Sequence, residues 1–185
     1  MQRRAKIMQN SGRKYMSCSN KKSAYFPLFV SLEGKKALVA GGGIIGTRRA
    51  GVLADFGAEV TVVAPDISDE IRRLGEAGRL EIRKRNFQAE DLEGICIAVA
   101  ATGDVELNSR IADESRRLGI LYNNASNKDE CNFFFPAVVR HEDMIIGING
   151  SGNNHRGVKE MREKIQALVC GEDDNSCRIS KFGDR

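Results

Sequence analysis

Apolar and polar positions divide the chain into an alternating series of strand and helix patterns, followed by a stretch of different character. Ala37-Leu-Val-Ala40 is a short continuous apolar run of the buried-strand kind, and glycines follow it at once. From Ile44 to Phe56 the apolar residues Ile45, Ala50, Val52, Leu53 and Phe56 recur at helical spacing, and Gly57 stands where helices take a C-terminal glycine. Glu59-Val-Thr-Val-Val-Ala64 is the β-branched run of a second buried parallel strand. A helix is predicted over 68–77 with Ser68 as its N-cap, a weaker strand over 80–83 and a strongly apolar strand over 95–100. Helix 105–118, closed by Gly119, and strand 120–122 complete a βαβα series, which argues for an α/β fold with a doubly wound parallel sheet.

Beyond Asn123 the pattern changes. The apolar runs 133–139 and 144–148 flank Arg140-His-Glu-Asp143 and predict an antiparallel hairpin. A loop at 150–154 leads to a helix over 156–169 with Val158, Met161, Ile165 and Val169 on one side. The expected organisation is a basic leader over 1–24, a parallel-sheet domain over 25–122, a hairpin segment over 123–150, a helical segment over 151–170 and a polar tail over 171–185.

Charge sharpens this division. Residues 1–24 carry seven bases and no acid, so the formal net charge of +4 belongs to the leader, and the remainder is mildly acidic. That location removes nucleic acid as an expected partner, and the leader is read as solvated and disordered. No apolar run reaches the roughly 18 residues of a membrane span, and none follows the basic N-terminus as a signal peptide requires. Cys18, Cys96, Cys131, Cys170 and Cys177 form no CxxC pair, and His141 and His155 are far apart. A reducing cytoplasm is therefore expected, with neither a disulfide framework nor a metal site.

The glycines carry the first chemistry. Gly41-Gly-Gly43-Ile-Ile-Gly46 fits G-x-G-x-x-G, with a buried strand before it and a helix after it. In such a turn Gly41 permits the tight bend, Gly43 lets backbone approach a pyrophosphate and Gly46 lets helix pack on strand, so NAD binding of the Rossmann kind is expected. Asp66, 20 residues after Gly46, stands where a carboxylate accepts ribose hydroxyls and repels a 2′-phosphate, unless it is only an acid at a helix start. Thr102, Gly103 and Asp104 end the fourth strand, where open α/β sheets place ligands, or form a turn that merely caps the next helix.

Taken together, the motifs resemble one family. Tyr25-Phe-Pro-Leu-Phe, Val39-Ala-Gly-Gly-Gly43 with Arg48-Arg49, Val62-Val-Ala-Pro65, Ala98-Val-Ala-Ala-Thr102, Asn108, Asn123, Asn132-Phe-Phe-Phe-Pro-Ala137 and Arg162-Glu-Lys-Ile165 stand in the order found in the precorrin-2 dehydrogenase/sirohydrochlorin ferrochelatase family, the dehydrogenase part of siroheme synthase. The resemblance implies a homodimeric enzyme that oxidises precorrin-2 to sirohydrochlorin with NAD+, on the way to siroheme or another modified tetrapyrrole. It implies a Rossmann-like domain, a dimerisation hairpin, a C-terminal helix and a cleft between subunits. Ile44 and Ile45 then follow the glycines at the pyrophosphate, and Pro65 and Asp66 lie beside the adenosine half of NAD.

One position departs from the family. An aspartate that serves as acid or base a few residues after the counterpart of Asn123 is here Ser126, which has no carboxylate. Asp104 is then the remaining carboxylate candidate for proton acceptor or substrate orienter, and Ser126 a substrate hydrogen-bonding group. Asn123 and the bases Lys128, Arg140, Arg156 and Lys159 are candidates for the polycarboxylate substrate, each with a solvated surface base as the plainer reading. Asn153-Asn-His155 replaces the Thr-Ser-Pro common in the family, so contacts in that loop do not carry over. Metal insertion is a second activity that the resemblance raises and that Ser126 and the single C-terminal helix count against. The alternatives are an NAD-sensing module without turnover, or an assembly partner of another tetrapyrrole-pathway enzyme.

Overall fold

The computed structural model of the chain describes residues 7–10, 13–16, 25–150 and 154–170. Within the expected leader, β1 (Ile7–Asn10) and β2 (Arg13–Met16) pair antiparallel; the rest of 1–24, the loop 151–153 and the tail 171–185 lie outside the described residues.

Five strands form one parallel sheet: β3 (Lys36–Gly42), β4 (Glu59–Ile67), β5 (Glu81–Arg83), β6 (Ile97–Ala100) and β7 (Leu121–Asn124), in the spatial order β5-β4-β3-β6-β7. The chain builds one half outward from β3 and then returns to β3's other side with β6. The two halves therefore diverge at the carboxyl ends of β3 and β6, which is where such sheets open a crevice. Helices α1 (Ile44–Asp55), α2 (Asp69–Glu76) and α3 (Val105–Arg117) make the crossovers.

Alternation along β3 shows why both faces are covered. Ala37 and Val39 join Leu53, Val60, Val62, Ile71 and Val99 in one core. Leu38 turns to the other face with Val63, Leu92, Ala98, Ala112 and Tyr122. Ser68 caps α2 as predicted, its Oγ accepting the Ile71 N–H at 3.2 Å. A 3-10 turn at Ala89–Leu92 seats Asp91, whose carboxylate is almost fully buried and accepts Arg85 Nη1 at 2.8 Å, Arg83 Nη1 at 3.2 Å and the Gln88 N–H at 2.9 Å.

Two predicted elements differ in extent by three or more residues at one end. β4 runs on to Ile67, past the expected end at Ala64, because its register with β3 shifts between Ala40 and Gly42 and lets Pro65 sit at the irregularity, where its missing N–H is tolerated. The apolar run at 133–136 is not strand. The Asn132 side chain accepts the Tyr122 N–H at 2.7 Å and donates to the Ile120 carbonyl at 3.0 Å, occupying the open edge of β7. The Phe133 carbonyl accepts from Asn123, and Phe133 and Phe135 pack on the core. The hairpin therefore begins later, as β8 (Ala137–His141) and β9 (Met144–Ile148), and α4 (His155–Cys170) packs against it.

Candidate cofactor and substrate site

The glycine turn joins β3 to α1, and its glycines answer to two different demands. Gly41 has φ +120°, and a Cβ there would run into the Ala101 carbonyl at the end of β6. A Cβ on Gly42 would meet the Asp66 carbonyl, and one on Gly46 would meet the carbonyl of Gly41. The fold itself thus excludes side chains at those three positions. Gly43 is different: its φ of −79° and ψ of −173° suit any residue, and a Cβ there meets nothing within 4 Å. Among the described residues no atom explains that glycine, and the space it leaves has room for a bound group.

What would fit there follows from α1. Gly43 is its N-cap and supplies no side-chain cap, and the first turn contains no acid. The helix presents uncapped N–H groups and its positive dipole end to solvent, the environment an anion takes. The turn is held rigidly. Thr47 Oγ1 donates to the Gly43 carbonyl at 2.8 Å, and the Ser68 hydroxyl, 2.8 Å from Thr47 Oγ1, donates to it in turn. Ile44 and Ile45 are exposed beside the opening. The extension of β4 places Pro65 and Asp66, both exposed, next to this turn, with the Asp66 backbone against Gly42. These residues fit the pyrophosphate and ribose of a dinucleotide.

Across the crevice a second cluster forms at the ends of β6 and β7. Asp104 is the N-cap of α3, its Oδ1 accepting the N–H groups of Glu106 at 2.9 Å and Leu107 at 3.1 Å. Its second oxygen has no hydrogen-bond donor among the described residues. Thr102 is half-buried and Gly103 exposed. The residue that ties this end together is Asn108, fully buried in the first turn of α3. It accepts the Thr102 N–H at 3.0 Å and the Thr102 hydroxyl at 2.7 Å on Oδ1, and donates from Nδ2 to the Thr102 carbonyl at 3.1 Å and to Ser126 Oγ at 2.6 Å. Sequence reading registered Asn108 only as a family mark. Its partners lie 6 and 18 residues away, and only a buried polar position on a helix face hinted at a network.

The substrate candidates scatter more widely. Asn123 is buried, donates to the Phe133 carbonyl at 2.9 Å, and leaves its Oδ1 without a partner. Lys128 is exposed in a 3-10 turn after β7, two residues past Ser126. Arg140 is not in this crevice within one chain: its guanidinium lies 3.9 Å over the Phe56 ring and donates to the Asp55 carbonyl at 3.1 Å, at the C-terminal end of α1, about 18 Å along the helix from the glycines. Arg156 and Lys159 lie on α4, exposed, with Glu160 at 2.9 Å and Glu163 at 4.0 Å as their neighbours one turn on. Arg49, on α1, is a further cation that sequence reading did not place. It stacks 5.2 Å over Phe135, and burial, with Arg48 alongside, pulls its guanidinium down to about 10.

Comparison with known proteins agrees with the glycine turn. Residues 28–137 match the family model NAD_binding_7, described as "Putative NAD(P)-binding". The chain belongs to this family. Relatives of the NAD(P)-binding domain include the "Probable multifunctional siroheme biosynthesis protein HemA" of Ruminiclostridium josui, 35% identical over 77% of this chain and 28% of that protein. Siroheme synthase of Ectopseudomonas mendocina is 36% identical over 87% of this chain and 35% of its own length. The chain thus spans about a third of these relatives. Among solved structures it is similar to "SirC, precorrin-2 dehydrogenase", with a TM-score of 0.62, 28% identity, and coverage of 78% of this chain and 71% of that one. No helix among the described residues is long and apolar enough to cross a membrane.

Proposed function

We propose that the chain is an NAD-dependent dehydrogenase that oxidises precorrin-2 to sirohydrochlorin in siroheme or related tetrapyrrole biosynthesis. The observation that carries this reading is the likeness to a precorrin-2 dehydrogenase over most of both chains, joined to a glycine turn whose one unexplained glycine opens onto an uncapped helix N-terminus. Bound NAD+ supplies the acceptor for the two electrons and one proton that leave the substrate with the C–H bond. Gly43 and the N–H groups of α1 seat its pyrophosphate, and Asp66 takes the ribose hydroxyls, a carboxylate that disfavours a 2′-phosphate. Thr102 and Gly103 line the crevice where the two rings meet.

The chain's remaining task is to orient the substrate and receive the second proton. Asp104 does this with its second oxygen, since the first is committed to α3. Asn123, Ser126 and Lys128 hold the substrate from the β7 side. Arg140, Arg156 and Lys159 reach a substrate only from a second subunit, and the hairpin with α4 provides the surface for such a homodimer. The reaction is placed in the cytoplasm, and a second tetrapyrrole enzyme is the partner class that would take the product.

The test is an anaerobic assay of the purified chain with precorrin-2 and NAD+, following NADH and the sirohydrochlorin spectrum together, with Fe2+ or Co2+ added once oxidation stops. Equal molar appearance of both products is expected, with NAD+ favoured over NADP+. NAD+ binding without turnover would favour a sensing or assembly module instead. A spectral change on metal addition, faster than without protein, would add chelation.

A further inference from the structure

From the Asn108 network we infer that Ser126 serves the substrate as a hydrogen-bond donor and that Asn108 is the positioning residue that makes it one. The inference rests on the dehydrogenase reading above. Its starting point is the orientation of a buried amide, which the neighbours determine without ambiguity. The Thr102 N–H can only donate, so the oxygen of Asn108 faces it; the Thr102 carbonyl can only accept, so the nitrogen faces that. The same nitrogen then points at Ser126 Oγ, 2.6 Å away.

An amide N–H takes a lone pair of the hydroxyl and leaves its proton unused. The Ser126 N–H is already bound to Asn124 Oδ1 at 2.8 Å, which fixes the backbone, and no acceptor for the Ser126 O–H exists among the described residues. Ser126 itself is exposed. Its proton is therefore directed outward, at whatever occupies the crevice. A substrate carboxylate or pyrrole-ring acceptor receives it, and the position acts as a donor where a carboxylate would act as a base. The same amide holds Thr102, so one buried residue sets both the cofactor-side loop and the substrate-side hydroxyl.

The experiment compares wild type, Ser126→Ala, Asn108→Asp and the double variant, reading kcat/KM for precorrin-2 at saturating NAD+ from about pH 5.5 to 8.5, with NAD+ affinity and melting temperature alongside. Loss of the donor should lower kcat/KM about tenfold in Ser126→Ala. In Asn108→Asp the ionised carboxylate attracts the Ser126 proton to itself, so the same loss is expected at high pH, with recovery as acid restores a proton to the introduced group. The double variant should be no slower than Ser126→Ala.

A purely structural Asn108 would instead give a loss that adds to that of Ser126→Ala, follows NAD+ affinity and shows no recovery in acid. That result, or full kcat/KM in Ser126→Ala, overturns the inference while leaving the dehydrogenase intact. An inactive wild type removes the dehydrogenase reading and this inference with it. If Asn108→Asp does not fold, Ser126→Cys decides: its weak thiol donor should fall between serine and alanine, and equality with alanine at both kcat and KM contradicts the donor role.

Discussion

The parallel-sheet half and the hairpin–helix half of the molecule bury their apolar residues in opposite ways. Among the described residues every buried apolar side chain except Val139 lies between Ala37 and Tyr122. On the other side of that boundary Met144, Ile145, Met161 and Leu168 remain exposed, and so do Phe26, Leu28 and Phe29 before the sheet. The first half buries its apolar strands within itself, and its glycine turn is fully formed within that half. The second packs its hairpin on α4 and leaves apolar surface uncovered, the surface through which the proposed homodimer would form. Stability should therefore be governed by the first half, and assembly by the second.

The largest test of that division is Gly41→Val. A φ of +120° and the Ala101 carbonyl leave no room for the side chain, so a loss above about 4 kcal/mol, seen as failure to fold in urea titration, is expected. Next is Asp91→Ala, which removes the acceptor of the Gln88 N–H and the partner of two solvent-exposed arginines and should destabilise by about 1.5 kcal/mol. Arg85 above all, with the Gln88 N–H, holds the Asp91 carboxyl below the usual carboxylate range. Because the folded value is the lower one, this contribution is complete above about pH 4 and is lost as pH falls through the depressed value. In Asp91→Ala the acid limb of a stability-versus-pH curve should be shallower.

Smaller effects sharpen the comparison. Asp104→Ala removes the α3 cap and should cost about 1 kcal/mol in the same titration, with a larger loss in turnover if its second oxygen takes the proton. Met144→Glu with Ile145→Lys should change unfolding free energy of the sheet half by no more than about 0.5 kcal/mol. By light scattering the same pair should halve the molecular mass. An unchanged mass would remove the uncovered hairpin face from the proposed dimer.

Legibility in the sequence followed the range of the interactions involved. The glycine turn, the Ser68 cap and the buried run of β3 are local, each specified within a few residues, and all stand where the pattern predicts. The end of β4 was hidden because Pro65 reads as a stop, and only the register shift against β3 shows that it is carried within the strand. Phe133 to Phe135 read as strand from hydrophobicity alone, whereas the side chains of Asn123 and Asn132 determine their path. Arg140 reads as a base near the crevice, and only the fold shows that within one chain it lies on Phe56 and Asp55, some 85 residues earlier. Asn108 was visible as a residue, but its meaning lies in partners that only the fold brings together.

The most direct measurement is an NAD+ titration of wild type beside Gly43→Val, by fluorescence and by thermal melting. Gly43 has open space and ordinary backbone angles, so the variant should fold with its unliganded stability within about 1 kcal/mol of wild type. Its NAD+ dissociation constant should rise at least about 100-fold, and the several-degree ligand-induced rise in melting temperature should vanish. An equal affinity and an equal melting shift in the two proteins would contradict the account, because the one glycine of the turn that the fold does not require would then not be required by the cofactor either.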